Sequence, residues 1–213
     1  MKLQDAGLLK DQGWIDGSWV GCSENTFPVL NPSTGEVLAR IPRMGTSETK
    51  EAIAAAQKAQ ALWRNEPAMG RAKVLRCLAD LMMANQEDLA QILSAEQGKP
   101  LNESRGEIAY AASFFQWFSE EAPRIYGDII PPHKSDLRIV VQREPVGVTA
   151  AITPWNFPSA MISRKLGPAI AVGCSMVLKP AEDTPLSALA IAELTHRAGL
   201  PPGVFNIVTG SRE

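Results

Sequence analysis

A chain of 213 residues with 45% hydrophobic side chains is long enough to bury a substantial core, as one large domain or two small ones. With 21% charged residues and a net charge of -2 it offers neither a basic face for nucleic acid nor an acidic tail, so its expected partners are small molecules or other subunits. No apolar run approaches the roughly eighteen residues of a membrane span, and the N-terminus lacks an apolar core and a cleavage site, which predicts a cytoplasmic chain without a membrane partner.

Trp14, Ile15, Trp19 and Val20 flank Asp16-Gly17, the pattern of a hairpin, and Glu36 to Ile41 forms a second extended run after Ser33-Thr34-Gly35. From Ser47 the period becomes helical, with Ala52, Ala56, Ala59 and Trp63 on one face. Pro67 opens another helix carrying Val74, Leu75, Leu78, Leu81 and Met82. Leu89, Ile92 and Leu93 continue the pattern until Gly98 and Pro100 stop it. Ile108 to Phe118 then forms an apolar helix whose Tyr110, Phe114, Phe115 and Trp117 are expected in the core. Leu137 to Gln142, flanked by Lys134, Asp136, Arg143 and Glu144, reads as an exposed strand.

Val146 to Ile152, rich in β-branched residues, predicts a buried strand, and Pro154 and Pro158 leave Trp155, Asn156 and Phe157 in a loop. A helix is expected from Pro158 to about Ala171, closed by Gly173, and Ser175 to Leu178 forms a second strand that delivers Lys179 and Glu182 into another loop. Thr184 is placed to cap, and Pro185 to start, a helix carrying Leu186, Leu189, Ala190, Ala192 and Leu194. Ala198 to Gly203 ends it before a third strand, Val204 to Val208. The predicted fold class is α/β: amino-terminal helices with a partial doubly wound (Rossmann-like) parallel sheet, built as β-α-β-α-β, and an extra β arm. Ligands of such sheets gather beyond the carboxyl ends of the strands, where Thr153 to Asn156 and Lys179 to Glu182 both fall. Without later strands, Val204 to Val208 or Leu137 to Gln142 is expected to remain an unpaired edge that promotes association.

The chain contains no GxGxxG or Walker loop. Lys179 can donate to ribose hydroxyls and Glu182 can accept from them, although the same spacing describes a solvated pair before a helix. Asn156 can be a turn former, or an amide that donates to a carbonyl oxygen becoming an oxyanion. Arg164 can be a surface helix arginine, or a fork that holds a carboxylate through two parallel hydrogen bonds. Cys22, Cys77 and Cys174 show no CxxC spacing and read as small hydrophobes, Cys174 as a buried, inert thiol. His133 and His196 lack metal-ligand partners at useful spacing, so no metal site is expected.

Thr153-Pro154-Trp155-Asn156-Phe157-Pro158, Gly167-Pro168-Ala169, Gly173-Cys174, Leu178-Lys179-Pro180-Ala181-Glu182-Asp183-Thr184-Pro185 and Pro201 to Val208 together resemble the aldehyde dehydrogenase superfamily. Ser159 to Lys165 and Tyr110 to Phe118 are most similar to its succinate-semialdehyde dehydrogenases. The resemblance covers essentially the whole chain. It implies NAD(P)-dependent oxidation of succinate semialdehyde to succinate through a thiohemiacetal, with NAD as the expected cofactor and NADP as the alternative. It assigns Asn156 to the oxyanion hole, Thr153, Pro154, Trp155, Arg164, Lys179, Pro180, Ala181 and Glu182 to the cofactor, and Arg164 also to the substrate. Family members with a small neutral residue in place of Glu182 tend to accept NADP, so this glutamate weighs towards NAD. The resemblance further implies a helical and hairpin part of the cofactor domain over 1–135, an oligomerisation strand over 136–145, a partial dinucleotide-binding unit over 146–213, and a homo-oligomer at full length. It places the catalytic domain, with its cysteine and glutamate, downstream of Glu213, so the chain alone is expected to be inactive. The competing expectation is a truncated, noncatalytic nucleotide-binding or assembly module.

Overall fold

The computed structural model describes residues 1–21 and 24–211; Cys22 lies outside the described residues. Strands β1 (Gly13–Ile15) and β2 (Ser18–Val20) form the expected hairpin. Its turn places Asp16 at φ 50° and Gly17 at φ 76°, the left-handed pair that an Asp-Gly sequence adopts most cheaply. Strands β3 (Thr26–Leu30) and β4 (Val37–Pro42) pair separately. Four helices follow: α1 (Thr46–Trp63), α2 (Ala68–Ala84), α3 (Gln86–Gln97) and α4 (Leu101–Glu121). The predicted face of α1, Ala52, Ala56, Ala59 and Trp63, is buried.

The exposed strand anticipated at 137–142 is β6 (Ile139–Val141), which pairs with β5 (Asp128–Ile130), a strand that the sequence pattern did not reveal. Then come β7 (Val148–Ile152), α5 (Ala160–Val172), β8 (Ser175–Lys179), α6 (Leu186–Arg197) and β9 (Phe205–Ile207), the predicted β-α-β-α-β order. Pairing is parallel from β7 to β8 to β9, and the sheet order is β2-β1-β9-β8-β7. Side chains of β8 alternate between two layers. Val177 joins Ala52 and Ala56 beneath α1, while Met176 and Leu178 enter the larger core shared with α5 and α6.

Five expectations need correction. Val204 to Val208 is not an open edge, because β1 pairs antiparallel with β9 at Trp14↔Ile207 and Asn206 Oδ1 accepts the Asp16 amide at 3.0 Å. Among the described residues the outer strands of this sheet are β2 and β7, so the run 146–152, expected to be a buried strand, is instead an edge whose Ile152 is 76% exposed. The aromatic stripe of α4 is only partly core: Phe115 is fully buried, but Tyr110 and Trp117 are exposed. Ser104, Ile108, Ala111 and Phe115 already form the buried helical face, and Tyr110, Phe114 and Trp117 fall on a neighbouring one. Helix α5 starts at Ala160 rather than Pro158, and Thr184 does not cap α6; in both cases a carboxylate from another helix takes the cap role, as described below.

Candidate active site

The in-register pairing of β7 and β8 brings Ile152 opposite Lys179, and the Thr153 amide donates to the Lys179 carbonyl at 3.1 Å. The Val208 amide donates to the Leu178 carbonyl at 2.9 Å, which aligns the segment after β9 with the same rim. Three loops therefore meet at the carboxyl ends of the parallel strands: Thr153 to Asn156, Lys179 to Glu182, and Val208 to Ser211. This is where an open α/β sheet binds ligands.

Lys179 and Glu182 are both half-buried, with Nζ 3.7 Å from Oε2, and Nζ also donates to the Pro180 carbonyl at 3.3 Å. A donor and an acceptor thus face the same small volume. Lys179 and Val208 to Ser211 line an open cleft of about 460 Å³ whose other wall is the start of α1, from Met44 to Thr46 with Thr49, Lys50 and Ile53. A second cleft of about 400 Å³ lies beside Trp155, Asp183 and Thr184, against Pro28 to Leu30, Pro32 and Glu96.

Asn156 stands in an exposed loop next to Trp155, and its carbonyl accepts from Lys99 Nζ at 3.2 Å. Arg164 is not drawn against Lys179 and Glu182. It is exposed on α5, its guanidinium 5.6 Å from the Phe114 ring centre and 4.0 Å from Met161 Sδ, on the aromatic surface that α4 leaves uncovered. Cys174 is buried at the amino-terminal end of β8, the opposite end of the sheet from Asn156. His133 is exposed, and His196 packs edge-on against Trp14 at 5.6 Å in the last turn of α6.

Two buried glutamates organise this rim, and sequence reasoning missed both. Glu107 Oε1 accepts the amides of Ser159 at 2.9 Å and Ala160 at 3.2 Å, satisfying the start of α5. Glu96 accepts the amides of Leu186 at 2.7 Å and Ser187 at 2.8 Å, doing the same for α6. Burial pushes the Glu96 carboxyl up to about 8; the Ser187 and Leu186 hydrogen bonds oppose that shift and the charge of Glu107 adds to it. The available signal was periodicity. Glu96 continues the buried series Leu89, Ile92, Leu93, and Glu107 lies among Ser104, Ile108 and Ala111, so each acid sits at a core position of its helix.

Among the described residues no helix is long and apolar enough to cross a membrane, and no group of three or more His, Cys, Asp or Glu residues could hold a metal ion. Residues 19–213 match the model of the aldehyde dehydrogenase family. A glutarate-semialdehyde dehydrogenase from Pseudomonas aeruginosa is 60% identical over 99% of this chain, and an NADP(+) succinate-semialdehyde dehydrogenase from Escherichia coli is 56% identical over 99%. In both, the chain spans 44% of the relative's length. The crystal structure of an Escherichia coli NADP-dependent enzyme superposes with a TM-score of 0.98 at 56% identity, over 99% of this chain and 44% of that one. With the loop motifs, the strand order and these matches in agreement, the chain belongs to the aldehyde dehydrogenase family.

Proposed function

We propose that this chain is the amino-terminal, cofactor-binding portion of an NAD(P)-dependent aldehyde dehydrogenase that converts succinate semialdehyde to succinate. The observation that carries the proposal is the meeting of the Asn156 loop with Lys179 and Glu182 at the carboxyl ends of β7 and β8. Residues 1–135 supply the hairpin and helices that buttress the sheet, 136–145 an oligomerisation strand, and 146–213 the dinucleotide-binding unit.

The rim fits a dinucleotide. Lys179 donates to the ribose, Glu182 accepts from it, and Thr153, Pro154, Trp155, Pro180 and Ala181 form the walls. A bound dinucleotide would supply the hydride acceptor that the oxidation requires. Asn156 donates its side-chain amide to the aldehyde oxygen, which takes up the π electron pair as a nucleophile supplied by the catalytic part of the protein adds to the carbonyl carbon. Arg164 receives the far carboxylate of the substrate through its exposed guanidinium, with the Phe114 ring centre 5.6 Å away. Glu182 places a negative charge where the extra phosphate of NADP would stand, which favours NAD.

Glutarate semialdehyde, one methylene longer, is the second reading, favoured by the 60% identity to an enzyme named for it. The test is turnover by the full-length protein with both semialdehydes and both cofactors, alongside Asn156→Ala. Removal of one oxyanion donor should lower kcat by about 10²- to 10³-fold. Failure to reduce either cofactor with either aldehyde overturns the proposal, and an unchanged kcat in Asn156→Ala removes the oxyanion role.

A further inference from the structure

We infer that Lys99 and Glu107 are positioning residues that fix the Asn156 loop, an inference that rests on the oxyanion role proposed for Asn156. Glu107 is buried on α4, with a side chain only 1% exposed, and its two oxygens do different work. Oε1 accepts the Ser159 and Ala160 amides, and Oε2 is paired with Lys99 Nζ. Lys99, in the turn between α3 and α4, is itself 10% exposed at the side chain. Its ammonium donates to the Asn156 carbonyl and lies 4.2 Å from the centre of the Phe157 ring. One buried ion pair therefore grips the chain on both sides of Pro158, at residues 156, 157, 159 and 160.

An ordinary helix cap accounts for less than this. Capping α5 needs only a carboxylate, and the Asn156 carbonyl, in an exposed loop, could be satisfied by water. A desolvated ion pair is a weak route to stability, because the cost of removing two charges from water consumes most of their attraction. What the third contact achieves is placement. Holding the Asn156 carbonyl fixes the orientation of its peptide plane and the origin of the side chain that must reach the oxyanion, and an error of about 1 Å there can cost up to ~100-fold in rate.

The experiment compares Lys99→Met, Asn156→Ala and the double variant in the full-length protein, with Glu107→Gln as a second route should Lys99→Met fail to fold. Glu107→Gln keeps an acceptor for Ser159 and Ala160 while removing the charge that holds Lys99. Lys99→Met should lower kcat by roughly 10- to 100-fold and leave cofactor affinity, measured by fluorescence titration, within about twofold. The double variant should fall no further than Asn156→Ala, because both changes remove one function. Fluorine NMR of 5-fluorotryptophan-labelled protein, with Trp155 assigned through Trp155→Phe, should show the Trp155 signal shifted or broadened by Lys99→Met. An additive loss in the double variant, or a large fall in Asn156→Ala alone with Lys99→Met unchanged, overturns the inference. If Asn156→Ala proves neutral, the oxyanion role falls instead. The Trp155 signal then decides whether Lys99 holds the loop, and an unmoved signal rejects it.

Discussion

Replacing Glu96 with alanine tests whether a buried acid really secures the helix that follows the Lys179 to Glu182 loop. Its two oxygens accept the Leu186 and Ser187 amides, and the loss of both leaves two donors unpaired in the interior, at about 1–3 kcal/mol each, or roughly 2–6 kcal/mol in all. The effect must also depend on pH. The carboxyl, pushed up to about 8 in the fold, starts from an ordinary value of 4.5, so between these limits the unfolded chain releases a proton that the native state keeps. The unfolded state then binds fewer protons, and stability falls as pH rises through that window by about 1.4 kcal/mol per pH unit, or roughly 3 kcal/mol from about pH 5.5 to 7.5. Below 4.5 both states hold the proton, and above about 8 both have lost it, so the slope vanishes at each end. Urea unfolding followed by circular dichroism at these two pH values, for wild type and Glu96→Ala, isolates this group as the difference between them. The variant should be markedly less stable at the lower pH, and its deficit should shrink at the higher. A loss below about 1 kcal/mol, or a deficit that does not change with pH, refutes the reasoning.

Three further outcomes are expected. In Glu182→Ser of the full-length protein the ratio of kcat/KM with NAD to that with NADP should fall by at least about tenfold; a wild type that already prefers NADP, or an unmoved ratio, shows that Glu182 does not read the ribose. Arg164→Ala should raise KM for succinate semialdehyde by about 10-fold or more while sparing an uncharged aldehyde, and equal losses on both point to a structural or cofactor contact. The 213-residue chain by itself should reduce no NAD in the presence of aldehyde, because Cys174 lies about 16–17 Å of strand away from the Asn156 end of β7 and is buried. Turnover that survives purification and disappears in Cys174→Ala would contradict that geometry.

Much of this molecule was decided locally. The Asp16-Gly17 turn, the buried face of α1 and the left-handed Gly173 that closes α5 follow from residue conformations and periodicity, so they are legible in order along the chain. The β-α-β-α-β order and the two loops at its rim follow from the same kind of signal, since short apolar strands separated by helices leave few ways to connect. The sheet's partner was not legible. Whether β9 ends the sheet depends on a hairpin almost two hundred residues earlier, and nothing in Val204 to Val208 encodes Trp14. Nor were Glu96 and Glu107, because a carboxylate in a helix looks solvated until the fold places a helix start against it. Sequence assigned the cap of α6 to Thr184, the nearest suitable oxygen, whereas the tertiary structure supplied a carboxylate from α3, since amides buried at a helix start need an acceptor but do not specify where in the chain it comes from.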